Sequence, residues 1–181
     1  MNDRHPSVPR EAPSSELCSD AAPIIDHVRR DGGLVGGDAH AADAIHCLAI
    51  YRPALPKNAE ISLHLKAAGE KDDRGGGVAV RLATPDDYYL VQLDARRDRT
   101  LLSLLKNGTS DEIVAVDADI ASHTWHTLSA RAQDDRFAVS LDGTWMFTGF
   151  DKALSEPGRV ALWTTGGSVT RFDQIEITPL P

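Results

Sequence analysis

The chain has 181 residues, of which 41% are hydrophobic and 25% charged, with a formal net charge of −8. That length suits one domain with a proper core. The negative balance, with paired basic residues only at Arg29-Arg30 and Arg96-Arg97, argues against a nucleic-acid partner. No apolar run approaches the roughly 20 residues that a membrane-spanning helix needs.

Residues 1–22, opening "MNDRHPSVPREAPSSE", are rich in Pro, Ser, Glu and Asp and lack periodic apolar positions, so they read as a disordered tail. No apolar h-region of a secretory signal is visible in them. Residues 23–181 read as one domain. Cys18 falls in the tail and Cys47 in an apolar strand, so two free thiols are expected, with a bridge between them as the alternative, and no disulfide framework.

From Pro23 onward, short runs of β-branched, aliphatic and aromatic residues alternate with Gly, Asp, Asn and Pro every 8 to 12 residues or so, the spacing of an antiparallel β-sandwich. Helix is expected to be minimal, with "VDADIASH" the one candidate for a single turn. In "NAEISLHLKA", Ala59, Ile61, Leu63 and Leu65 share one side and Glu60, Ser62, His64 and Lys66 the other, which predicts a half-buried strand.

The stretch "VRLATPDDYYLVQLDA" predicts a hairpin in which Ala83 faces Tyr88, Arg81 faces Leu90 and Ala79 faces Gln92. Val78, Val80, Leu82, Tyr89, Val91 and Leu93 then form a core face. Arg81, Tyr88, Gln92 and Asp94 share the opposite face with Ala79 and Leu90, and this second face is the candidate site.

Asn107-Gly108, Asp142-Gly143 and Gly166-Gly167 are two-residue turn signals that predict an antiparallel meander. The sequon Asn107-Gly108-Thr109 is explained by its turn. Around Asp142-Gly143, Phe137, Val139, Leu141 and Met146 are expected on one face and Ala138, Ser140, Trp145 and Phe147 on the other. Both faces carry apolar bulk, so the pair is either covered on both sides or presents Trp145 and Phe147 as an aromatic platform.

Three segments carry a resemblance: "GGGVAVRLATPDDYYLVQLDARRDRTLLSLLKNG", "HTWHTLSARAQDDRFAVSLDGTWMFTGFD" and "GRVALWTTGGSVTRFDQIEI". Their order resembles the concanavalin A-like jelly-roll domains of the 3-keto-disaccharide hydrolase and laminin-G-like groups, many of them bacterial. The resemblance covers about residues 58 to 178. It implies a two-sheet jelly roll whose concave face often binds carbohydrate, sometimes with glycosidic cleavage in related members, and a periplasmic or secreted location. Trp125, Leu128 and Ala130 are expected on one inward-leaning strand. The ligand-binding candidates are Arg81, Tyr88, Gln92, Asp94 and Trp163, because Arg and Gln hydrogen-bond sugar hydroxyls and aromatic rings stack on sugar faces.

The acids of the jelly-roll glucanases are missing. Their Glu-x-Asp-x-x-Glu pattern is approached only by "EKDDRG", where Glu70 and Asp72 are followed by Gly75 in place of the last glutamate. Glu70 and Asp72 therefore read as solvated loop charges. Asp94 is the one weak catalytic candidate, with ion pairing to Arg81 as its structural reading. Asp173 has no assignable partner acid.

His123 and His126 lack the further ligands a zinc site needs, so no metal site is assigned. Oxygen-rich loops in "EKDDRGGG" and "VDADIA" leave calcium open, and no other cofactor is expected. Three functional readings stand: a non-catalytic glycan-binding domain, a hydrolase of 3-keto-glycosides, and a structural interaction module.

Overall fold

The computed structural model describes residues 24–27, 46–51, 55–69, 75–165 and 168–181. Twelve strands follow one another: β1 (Ile24–His27), β2 (His46–Tyr51), β3 (Ala59–Ala67), β4 (Gly76–Thr84), β5 (Asp87–Asp94), β6 (Arg99–Lys106), β7 (Thr109–Asp117), β8 (His126–Gln133), β9 (Arg136–Leu141), β10 (Thr144–Phe150), β11 (Arg159–Thr165) and β12 (Thr170–Pro179). They form two six-stranded sheets, ordered β1-β12-β3-β8-β9-β10 and β2-β11-β4-β5-β6-β7. The predicted β-sandwich is present, with no helix among the described residues. One pairing departs from the antiparallel expectation, since β1 runs parallel to β12.

The core lies between the sheets. Strand β3 alternates as predicted, with Ala59, Ile61, Leu63 and Leu65 buried, and Val78, Val80, Tyr89, Val91 and Leu93 join them from the facing sheet. Asn107 and Gly108 turn with φ of 52° and 73°, and Asp142 and Gly143 with 51° and 78°, as tight hairpins demand. Tails and loops named above that are not described here include residues 1–22, the segment carrying Glu70 and Asp72, and Gly166-Gly167.

Two bulges correct the predicted faces. Between the pairs Val80↔Tyr89 and Thr84↔Asp87, β4 carries three residues and β5 one, so the predicted register holds at the turn but is lost two residues further on. Arg81 sits in this bulge at a φ of 52°, a conformation that costs a non-glycine residue roughly 1 to 2 kcal/mol. Arg81 and Leu82 consequently exchange faces. On β10 a second bulge falls between Trp145 and Phe147. It turns Phe147 into the core, 4% exposed, and leaves Trp145 64% exposed on the outer face.

Trp125 also departs from expectation. It precedes β8 rather than leaning inward with Leu128 and Ala130, and is 39% exposed. The Lys66 ammonium lies 4.7 Å from the centre of its ring. Cys47 is disulfide-bonded, not free. The only other cysteine of the sequence, Cys18, lies outside the described residues.

Candidate functional site

The outer face of the sheet β2-β11-β4-β5-β6-β7 is built from rows of directly paired residues. One row runs Leu48–Trp163–Gly77–Gln92–Leu101–Ala115 across all six strands. Gly77 adds no side chain between Trp163 and Gln92. It is also required there, because a Cβ at this position would come within 2.1 Å of the Val91 carbonyl oxygen. A neighbouring row runs Ile50–Ala161–Ala79–Leu90–Ser103–Glu112.

These rows frame a cavity of about 290 Å³. Leu90, Gln92, Leu101, Ser103 and Leu105 form its floor. His46, Trp163 and Thr165 stand on one side, Ser110 and Glu112 on the other, with Asp94, Arg97 and Arg99 at one end.

The charged end is organised by its own turn. Asp94 closes β5, and its carboxylate accepts the Arg97 backbone N–H at 3.3 Å and faces the Arg97 guanidinium at 3.7 Å. Short-range bonding of this kind is how an Asp at a strand end fixes the following turn. Arg99, on the next strand, places a guanidinium nitrogen 2.8 Å from the Glu112 carboxylate of β7. On the opposite side, the His46 and Trp163 rings have centroids 6.1 Å apart and planes 23° apart. Burial depresses the His46 imidazole below its ordinary pKa, against a smaller opposing effect of Asp86.

Of the five residues expected to bind ligand, the structure brings Gln92, Asp94 and Trp163 together in this cavity. Asp94 pairs with Arg97 rather than Arg81. Trp163 is only 6% exposed and lies beside the His46 ring, so little of it is open to the cavity for stacking.

Arg81 and Tyr88 are not cavity residues. The bulge carries Arg81 to the interior side, where it donates from Nε to the Lys57 carbonyl at 3.2 Å and from Nη1 to the Leu154 carbonyl at 3.3 Å. Its guanidinium lies 5.0 Å from the Phe137 ring centre. Tyr88 does lie on the outer face, but it is fully buried in an apolar cluster with Leu48, Leu82, Leu90, Leu105 and Trp163. Burial drives its hydroxyl pKa upward.

Its neighbour Tyr89 points into the core and donates to the Asp151 carboxylate at 2.5 Å. Burial first, and that bond second, push the Tyr89 pKa up to about 12. These contacts, with Leu154 N–H donating to Tyr89 Oη at 3.1 Å, fasten the segment after β10 and leave it no part in the cavity.

The remaining candidates are accounted for by local structure. His126 Nδ1 lies 2.8 Å from the Asp142 carboxylate and Nε2 lies 3.3 Å from the Ala121 carbonyl, a clamp on the β9–β10 turn. Asp173 accepts the backbone N–H of Gln174. Among the described residues no three His, Cys, Asp or Glu side chains cluster as metal ligands would.

Sequence reasoning missed His46, Arg97, Arg99, Ser103 and Glu112. The last three were within reach, since the Asn107-Gly108 turn extends the same period-2 logic from β5 across β6 to β7. His46 enters through the long-range pairing of β2 with β11, which no local pattern announces.

No family model matches the chain, and no curated protein matches it significantly. Among solved structures it is similar to the carbohydrate-binding module CBM66 from Bacillus subtilis. The two share 18% identity over 82% of this chain and 92% of that one, with a TM-score of 0.69. This chain has the concanavalin A-like jelly-roll fold. The fold also relates it to CG-16, a homodimeric agglutinin from chicken liver, with 11% identity, 74% and 99% coverage and a TM-score of 0.55. A prokaryotic β-1,3-1,4-glucanase from a mouse hindgut metagenome aligns with 17% identity over 65% of this chain and 58% of its own, TM-score 0.50.

Proposed function

We propose that this domain recognises carbohydrate, without catalysing a reaction, in the cavity on the outer face of the sheet β2-β11-β4-β5-β6-β7. The observation that carries this reading is the convergence of Gln92, Asp94, Arg97, Arg99, Ser103 and Glu112 around one hollow beside Trp163. Amide, carboxylate, guanidinium and hydroxyl groups together offer the donors and acceptors that a polyhydroxylated ligand requires. The fold it shares with a carbohydrate-binding module and an agglutinin supports the same reading.

Recognition here rests on hydrogen bonding more than on stacking, because Trp163 is nearly buried. The disulfide at Cys47 supports residence in an oxidising compartment, in line with the periplasmic or secreted location that the family resemblance implied.

A glycan microarray followed by calorimetry tests this. Wild-type protein binds at least one neutral oligosaccharide, and Gln92→Ala and Asp94→Ala each weaken that binding tenfold or more, about 1.4 kcal/mol, while a thermal scan shows both variants still folding cooperatively. Undiminished binding in both variants would remove the cavity from the account.

A further inference from the structure

The charges that line the cavity are balanced inside it. Among the described residues lining it, Asp94, Arg97, Arg99 and Glu112 are the four charged at neutral pH, two guanidiniums against two carboxylates. Each guanidinium faces a carboxylate of the same cavity: Arg99 is held by Glu112 at 2.8 Å, and the more exposed Arg97 lies 3.7 Å from Asp94. Asp117, directly opposite Arg99 on β7, adds a further acid to that side of the sheet. The burial that lowers the His46 pKa keeps that imidazole uncharged at neutral pH as well.

Resting on the glycan-binding reading, we propose that the cavity selects uncharged sugars over acidic ones, and that Glu112 sets this selectivity by holding the guanidinium of Arg99. A uronate or sulfate would have to take Arg99 from Glu112, or Arg97 from Asp94. Either exchange replaces one ion pair with another and leaves a displaced carboxylate beside the incoming negative charge. In each pair one partner is sheltered, Arg99 at 28% and Asp94 at 8% exposure, while Glu112 at 54% and Arg97 at 67% face solvent, so water screens that repulsion only in part.

A neutral sugar meets no such conflict. Its hydroxyls donate to carboxylate lone pairs that the arginines leave unused and accept from the remaining guanidinium N–H groups. At about 290 Å³ the cavity is at the small end of ligand pockets, which run from about 300 to 1,000 Å³, so the contact is with a few sugar units at most.

The experiment compares sugar pairs that differ only at C6, glucose against glucuronate and galactose against galacturonate oligosaccharides, by calorimetry at 50 and 500 mM NaCl. Wild-type protein and Glu112→Gln are measured side by side. Glu112 is more than half exposed, so the variant is expected to melt with the wild type, and a thermal scan verifies this.

The expected result is at least a tenfold preference for the neutral member of a pair, with affinity for it shifting less than twofold between the two salts. Glu112→Gln narrows that preference at least fivefold by raising uronate affinity. A uronate bound as tightly as its neutral partner, or a preference unmoved by Glu112→Gln, overturns the selectivity while leaving glycan recognition standing. Binding of neither member of any pair, nor of any other glycan, by folded protein overturns both.

Discussion

Strand β5 supplies both ends of one sheet face, and the two ends behave differently. Tyr88 is sealed in an apolar cluster with Leu48 and Leu82, Leu90 belongs both to that cluster and to the cavity floor, and Gln92 and Asp94, largely buried themselves, border the cavity with Arg97, Arg99 and Glu112. The residues share a strand, a face and a period of two. Alternation therefore decides the direction in which a side chain points, and the neighbours brought by other strands decide whether it meets solvent. The closed end contributes stability to the sheet and the open end contributes chemistry.

The largest effect is expected at the residue beneath both ends. Gly77→Ala would drive a methyl group against the Val91 carbonyl oxygen, and overpacking against main chain at the sheet centre should cost about 4 kcal/mol or more. Chemical denaturation measures this, and a loss below about 1 kcal/mol would show that the pairing of β4 with β5 is looser than described.

Next comes the contrast itself. Tyr88→Ala, which empties a fully buried aromatic site, should cost about 3 to 5 kcal/mol, while Gln92→Ala, on the cavity floor, should cost about 1 kcal/mol. Tyr88→Phe removes a buried hydroxyl that lacks a well-formed hydrogen bond, so it should be neutral or slightly stabilising. Equal losses for Tyr88→Ala and Gln92→Ala would erase the distinction between the two ends.

The smallest effect concerns His46, at the boundary between them. Burial holds its pKa below the ordinary 6.5 in the folded protein. Below about pH 6.5 the unfolded chain takes up a proton that the native state resists, so stability falls as pH drops and is complete above that value. His46→Gln should flatten this slope between pH 7 and 5. An unchanged slope would assign it to other groups.

Much of the fold was legible because it depends on local rules. The alternation in β3, the Asn107-Gly108 and Asp142-Gly143 turns, and five of six core positions in the 78–93 ribbon followed from period and φ preference alone. Two of the failures share a cause. A bulge inserts residues without an obvious signature, and the one at Arg81 moved that side chain from the expected site to the interior. The bulge at Met146 did the same for Phe147. Tyr88 was assigned the right face, but its burial comes from Leu48 on β2, Leu105 on β6 and Trp163 on β11, contacts that sequence proximity does not encode. Gln92 and Trp163 reached the cavity because no bulge intervenes between them in the row through Gly77, and Asp94 follows Gln92 two residues along the unbroken β5.

The most direct test of the account maps a bound sugar onto the backbone amides by nuclear magnetic resonance, using the strongest neutral oligosaccharide found on the array. Shift changes are predicted to centre on Gln92, Asp94, Arg97, Arg99, Ser103 and Glu112, with little response across the outer face of the opposite sheet, around Arg131, Arg136 and Trp145. Changes concentrated on that opposite face, with the 92–99 segment silent, would contradict the account.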